Sequence, residues 1–436
     1  ASSTSSSAGP IEPTSASSAL PEPSAGPETT ASAEAPPEPQ PSTSARPFAG
    51  ASVSAEGNAL PRATRLFDAL AALKDKRRDR PVRVMWLGDS HTQADFWTAA
   101  LRSSLQARFG KGGPGSVHIG WSEKKYRHGD VRIKTQGGWR IEPPTLVSTR
   151  KYDDGVLGLG GVRLVPSDAG ARASLAVEAS AVPGKVRWDV AFRLADPAAS
   201  LTLRVSGASP LTVTSADTKV AAGPGGIRHV ALESPGPGGT IEVAPSGQAE
   251  LMGVVIESSE PGVVVDTLGL NGARVASALA MDEASWVSAV SRRAPDLVVI
   301  AYGSNESSDM KFNAARHASA VESLLRRIRA GAPNADCLVF GPVDRGGKRY
   351  GETVEQINAA QRDAAQRAGC AFWSGQMAMG GKGSMERWEV ETPPLAQADL
   401  LHLTPKGYER LGNMLARDLL QAFDAHSSAS PQASAP

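Results

Sequence analysis

Four short segments of this chain carry residue types that can do acyl chemistry. Ser90, in Gly88-Asp89-Ser90-His91, follows the apolar run Val82–Leu87. A serine hydroxyl is a weak nucleophile until a base takes its proton. His402 is the candidate base, and Asp399 stands three residues before it. A neutral imidazole accepts that proton only if its other nitrogen is held as a donor, which a nearby carboxylate can do. Asn305, in Gly303-Ser304-Asn305-Glu306, follows a second apolar run, Leu297–Tyr302. Its amide can donate to a developing oxyanion. Gly272, in Asn271-Gly272-Ala273, follows a third run, Val263–Leu270. A glycine lets its backbone N–H approach a substrate with no side chain in the way. Each segment alone has an ordinary reading, as a cap, a turn or a loop histidine. Together, at successive strand ends on one edge of a sheet, they point to acyl transfer.

The elements that must position them show in the periodicity. Residues 59–76 and 95–109 have helical spacing of apolar side chains, and 82–87 reads as a buried parallel strand. Between about 140 and 262 the period becomes two: Val186, Trp188, Val190, Phe192 and Leu194 alternate with polar residues. Short strands separated by Gly, Pro, Ser and Asp predict an antiparallel sandwich, with Trp188 in its core. After 262 a strand–helix rhythm returns. Strands are expected at 263–270, 297–302, 337–341 and 370–373, and helices at 276–292, 313–330, 352–368 and 405–424. Thr404 followed by Pro405 is the expected start of the last helix, which leaves Asp399 free for another task. The expected organisation is an α/β domain, 58–139 and 263–425, with a β-sandwich inserted over 140–262.

Composition narrows the function. The 436 residues carry a net charge of +1, which argues against a nucleic-acid partner. Cys337 and Cys370 lie in apolar runs and outside any metal-binding spacing, so two buried thiols are expected, with a disulfide as the alternative, and no metal and no cofactor. Gly110-Lys-Gly-Gly-Pro-Gly115 fits a dinucleotide fingerprint by letter only, because it follows a helix and contains proline. No apolar run is long enough to span a bilayer. Residues 1–57 and 426–436 are Ser-, Ala- and Pro-rich and are expected to be disordered. A chain starting at Ala1 with such a tether is expected of a mature exported protein. It would lie in the periplasm or cell envelope and could be anchored to a membrane or lipid through its N-terminal segment. His91 is expected to make a local hydrogen bond, and Met377, Met379, Met385 and Trp388 to pack near the last loop.

Gly88-Asp89-Ser90-His91, Gly272, Gly303-Ser304-Asn305 and Asp399-x-x-His402 resemble, in order, the four blocks of the SGNH/GDSL hydrolases. The longer strings 88–95, 269–273, 302–306, 378–385 and 402–408 resemble bacterial peptidoglycan O-acetylesterases. The resemblance covers about 80–425 and implies a flavodoxin-like, five-stranded parallel sheet with helices on both faces. It also implies an inserted β-domain like a carbohydrate-binding module. It makes Ser90 the nucleophile, His402 the base and acid, and Asp399 the residue that orients it. Ser90 N–H, Gly272 N–H and Asn305 become the oxyanion hole, with Gly269 as the alternative to Gly272. The implied activity is removal of O-acetyl groups from a cell-wall glycan. O-acetyl transfer, deacetylation of another polysaccharide and silent carbohydrate binding stand as alternatives.

Overall fold

The computed structural model describes Leu60 and residues 63–121, 126–143 and 154–429. The tether expected over 1–57 lies outside the described residues, as does most of the expected tail. The last helix runs on to Ala429, past the expected end at 424.

Five strands form a parallel sheet: β1 (Val82–Gly88), β2 (Val263–Gly269), β3 (Leu297–Ala301), β4 (Asp336–Gly341) and β5 (Ala371–Ser374). Their order is β2-β1-β3-β4-β5, and every neighbouring pair is parallel. This is the flavodoxin-like order, with β1 beside the switch point where ligands collect. The longer helices are α1 (Thr64–Lys74), α2 (Phe96–Phe109), α3 (Glu283–Arg293), α4 (Ala314–Gly331), α5 (Lys348–Ala368) and α6 (Pro405–Ala429). The strands are apolar on both faces because both are covered. Val84, Trp86, Val299 and Phe340 pack with Phe67 of α1, Leu101 of α2 and Leu411 of α6. Met85, Leu87, Val298 and Ile300 share a core with Trp286 of α3, Val321 of α4 and Ala364 of α5. The helix expected over 276–292 is two helices, Val275–Leu279 and α3, because Asp282 starts a new one by accepting the Ser285 N–H at 2.9 Å.

Two antiparallel sheets lie in the chain between α2 and β2. One runs Arg228–Ser234, Val186–Leu194, Ala249–Ser258, Arg163–Pro166, Trp139–Glu142, and Gly115–Val117 also pairs with its Ala249–Ser258 strand. The other runs Val131–Gln136, Arg172–Val177, Gly239–Ser246, Ser200–Val205, Leu211–Thr214. Val190, Phe192 and Ile256 of the first share a core with Leu175, Leu203 and Ile241 of the second. Trp188 is fully buried there, its indole N–H donating to Ser234 Oγ at 2.9 Å. The antiparallel strands begin at Gly115, earlier than the expected 140. Gly115–Val117 is too short to show a period, and a parallel-sheet residue, Asp266, accepts the Ser116 N–H at 2.8 Å.

Buried ion pairs join the two parts. Arg293 of α3 bonds Asp266 of β2 at 2.7 Å and Glu257 of the antiparallel layer at 2.6 Å; Arg83 of β1 also bonds Glu257, at 2.7 Å. Removing one member would leave an uncompensated buried charge, which is where such pairs matter energetically.

The two cysteines correct an expectation: they form a disulfide, not two free thiols. Leu338 and Ala371 are register partners on β4 and β5, so the residues just before them face each other with Cα atoms 4.9 Å apart. Pairing across strands cannot be seen from the apolar runs that hold each cysteine. Closing a loop over a separation of 33 residues restricts the unfolded chain and stabilises by about 2–4 kcal/mol. The native protein should therefore show no reactive thiol under non-reducing conditions, and Cys337→Ala/Cys370→Ala should unfold at lower urea, with an unfolding free energy lower by about 2–4 kcal/mol. Two titratable thiols in unreduced protein would contradict the pairing.

Candidate active site

The site lies at the carboxyl edge of the parallel sheet. β1 ends at Gly88, and Asp89 caps the short helix Ser90–Gln93 by accepting the His91 N–H at 3.0 Å. Ser90 is the first residue of that helix, where the helix end favours developing negative charge. The turn fits only because β2 also ends in glycine: a Cβ on Gly269 would sit 2.3 Å from Gln93 N. Gly269 is thus a packing glycine. Gly272, three residues on, has a φ of +75° and lies in the loop itself. Gln93 Oε1 accepts the Asn271 N–H at 2.5 Å and holds that loop against the Ser90 helix.

Ser90 Oγ lies 3.0 Å from His402 Nε2, and His402 Nδ1 lies 2.7 Å from Asp399 Oδ2. Asp399 Oδ1 accepts the backbone N–H groups of Leu401 at 3.0 Å and His402 at 2.9 Å. With Nδ1 donating to the carboxylate, Nε2 is left as the acceptor for the serine proton. Burial pushes the Asp399 carboxyl up, but its bonds from His402 and Leu401 outweigh that and hold it below the ordinary carboxylate range. Thr404 accepts the Gly407 N–H at 3.2 Å and caps α6, so Asp399 is not spent on the helix.

Asn305 lies on the loop after β3. Its Nδ2 donates to Ala273 O at 2.9 Å, which leaves the second amide hydrogen for another acceptor. Arg274 donates to Asn305 O at 2.8 Å and pairs with Asp309, so the Gly272 and Asn305 loops are fixed to each other. The structure therefore brings Ser90, Asp399, His402, Gly272 and Asn305 to one edge. This arrangement has a serine hydroxyl within hydrogen-bond reach of an imidazole whose other nitrogen is bonded to a carboxylate. Among the described residues no cluster of histidine, cysteine and carboxylate side chains could hold a metal ion.

Residues 236–410 match the GDSL-like lipase/acylhydrolase family. A solved peptidoglycan O-acetylesterase superposes with a TM-score of 0.66 and 26% identity, covering 84% of this chain and 98% of that one. The family match and this likeness together support an esterase of the SGNH/GDSL type. A family two carbohydrate esterase from Cellvibrio japonicus matches with a TM-score of 0.28 and 11% identity, over 67% of this chain and 99% of that one. Comparison with curated proteins gives no match. The stretch that matches the family holds Gly272, Asn305, Asp399 and His402. Ser90 lies outside it, on the far side of the inserted sheets.

Several residues around this site were not singled out by sequence. Asp95 is fully buried and accepts from Arg102 at 2.7 Å, Thr98 at 2.7 Å, Thr267 of β2 at 2.7 Å and Gly129 N at 2.7 Å. It ties the segment after Ser90 to β2 and to the start of the insert. Its presence in the 88–95 string was the available signal. His91 bonds Tyr408 of α6 at 2.9 Å, a partner 317 residues away in the chain rather than a local one. Met379, Met385 and Trp388 are buried in the core, while Met377 is partly exposed. Asp89 is fully buried beside Glu306. Burial, with Glu306 adding to it, pushes its carboxyl up to about 8 against the bonds from His91 N–H and Ser304.

That shift has a sign. A carboxyl raised on folding contributes stability below its unfolded value of 3.8, and the contribution is lost as pH rises toward about 8. Asp89→Asn keeps the cap without the proton. Its urea midpoint relative to wild type should climb between pH 4 and about 8 and then level off. A difference flat with pH would contradict this environment.

Proposed function

We propose that this esterase removes O-acetyl groups from a cell-wall glycan, peptidoglycan, through an acyl-serine intermediate. The observation that carries the reading is the continuous chain Asp399–His402–Ser90, with links of 2.7 and 3.0 Å. Ser90 Oγ attacks the acetyl carbonyl as its proton passes to His402 Nε2. The tetrahedral oxyanion is held by the Ser90 N–H, the Gly272 N–H and the Asn305 amide. His402 then protonates the departing sugar oxygen, and acetyl-Ser90 remains. Water, deprotonated by His402, attacks the acetyl group; acetate leaves and Ser90 regains its proton. Asp399 stabilises the imidazolium formed in each half.

The acetyl group and the glycan are supported by the likeness to the solved peptidoglycan O-acetylesterase. Export to the periplasm or cell envelope is supported by the Cys337–Cys370 disulfide, since such bonds persist in oxidising compartments. A membrane tether through residues 1–57 is part of the same proposal, as is glycan binding by the inserted sandwich.

Purified protein should release acetate from O-acetylated peptidoglycan at a higher kcat/KM than from acetylated xylan. Ser90→Ala should abolish release from both. Asn305→Ala should retain about a hundredth to a thousandth of kcat, the cost of one oxyanion donor. Faster release from xylan would overturn the glycan, and full activity in Ser90→Ala would overturn the mechanism.

A further inference from the structure

Arg345, on the loop after β4, is a cation beside the triad without a carboxylate of its own. Its Nη1 donates to Ser307 Oγ at 2.8 Å and Ser308 Oγ at 2.7 Å, in the turn directly after Asn305. Its guanidinium carbon sits 3.9 Å from the ring centroid of Tyr350, a cation–π contact that fixes the plane of the group. The next residue, Gly346, donates its N–H to Leu400 O at 2.8 Å, in the loop between Asp399 and His402. The group is thus clamped between the oxyanion loop and the loop that carries the base.

The charge is not neutralised. Arg345 forms no ion pair among the described residues, and its Nε and Nη2 have no hydrogen-bond partner among them. Its chain neighbour Asp344 turns inward and is used by Gln376 Nε2 at 2.8 Å and Met385 N at 3.1 Å. The nearby Arg349 adds positive charge. Half-burial lowers the Arg345 pKa from the ordinary arginine value, and Asp399 is close enough to oppose that shift. Other half-buried arginines, such as Arg83 and Arg193, have carboxylate partners. A guanidinium held rigid, partly desolvated, unpaired and with a free edge is suited to bind an anion bidentately.

We propose that Arg345 is a specificity residue that binds a carboxylate of the substrate, so the preferred ester is on an acidic saccharide. The inference rests on the glycan reading above and deepens it: a free carboxylate near the acetylated hydroxyl becomes part of recognition. Peptidoglycan can supply such a group through the lactyl ether of muramic acid or through an attached peptide; a neutral xylan cannot. Arg345 touches no reacting atom in this account. It positions the ester by its far end.

The test uses pairs of O-acetylated muramyl saccharides, with and without attached peptide, each with its carboxylates free or converted to amides. Wild-type kcat/KM should favour the free acid over its amide by about ten- to a hundredfold, the worth of a charge-assisted hydrogen bond. In R345Q that ratio should fall to near one, mainly through KM, and R345K should recover part of it. A preference confined to the peptide-bearing pair would place the carboxylate on the peptide; one confined to the peptide-free pair, where the lactyl carboxyl is not tied up in the amide bond to peptide, would place it on the sugar. Equal losses on acid and amide in R345Q would mean that Arg345 only braces the Ser307 turn, and would overturn the proposal. If wild type cleaves acid and amide equally well, the glycan reading stands and the carboxylate subsite falls. If it turns over p-nitrophenyl acetate but no saccharide ester, both fall.

Discussion

One hydrogen bond sets the demands on this fold. Ser90 Oγ and His402 Nε2 are 312 residues apart in the chain and 3.0 Å apart in space. A misplacement of about 1 Å at such a contact can cost about a hundredfold in rate, so both ends must be rigid. Ser90 is held by the end of β1 and the Asp89 cap. His402 is held by Asp399 and by the start of α6. A second link joins the ends: His91, next to Ser90, bonds Tyr408 of α6 at 2.9 Å. The His91 and His402 rings lie 5.2 Å apart, and burial, with His402 adding to it, pushes the His91 pKa down to about 3. His91 therefore stays neutral and places no second cation beside the imidazolium that His402 becomes in the proposed mechanism.

The inserted sheets intervene between the two ends in sequence without disturbing them in space. β2 pairs with β1 from Val82↔Val263 to Gly88↔Gly269, as though the chain between were absent. Two polar nodes keep that register. Asp95 holds the segment after Ser90 to Thr267 of β2, and Arg293 holds Asp266 of β2 to Glu257 of the insert. Both nodes are buried and pair carboxylates with guanidinium groups, so a slip of one residue would separate those partners in the core. Shared apolar packing adds to this: Leu87 and Ile300 belong to the same core as Phe192 and Ile256.

What could be read from sequence followed from local regularity. The runs at Val82–Leu87 and Leu297–Tyr302 are apolar because both sheet faces are covered, and the α6 stripe is strongly periodic. The triad and oxyanion candidates were legible because each is a short string with chemistry in it. What escaped depends on pairing across space. Cys337 and Cys370 look like ordinary buried residues until β4 and β5 are placed side by side. Gly115–Val117 is too short to carry a period and is a strand only by virtue of its partner. Arg345 is one of 46 Lys and Arg residues, and nothing in its neighbourhood of sequence says that it lacks a carboxylate. Asp95 was visible as a letter in a string, but its burial among Arg102, Thr98 and Thr267 was not.

The central claim is that Ser90 is made nucleophilic by His402 and Asp399. It is tested most directly by labelling with a fluorophosphonate, followed by peptide mass spectrometry of the adduct. The account predicts a single adduct on Ser90 in the wild-type protein, none in Ser90→Ala, and labelling slowed by orders of magnitude in His402→Ala. Wild-type protein that stays unlabelled, or a label on a different serine, would contradict it.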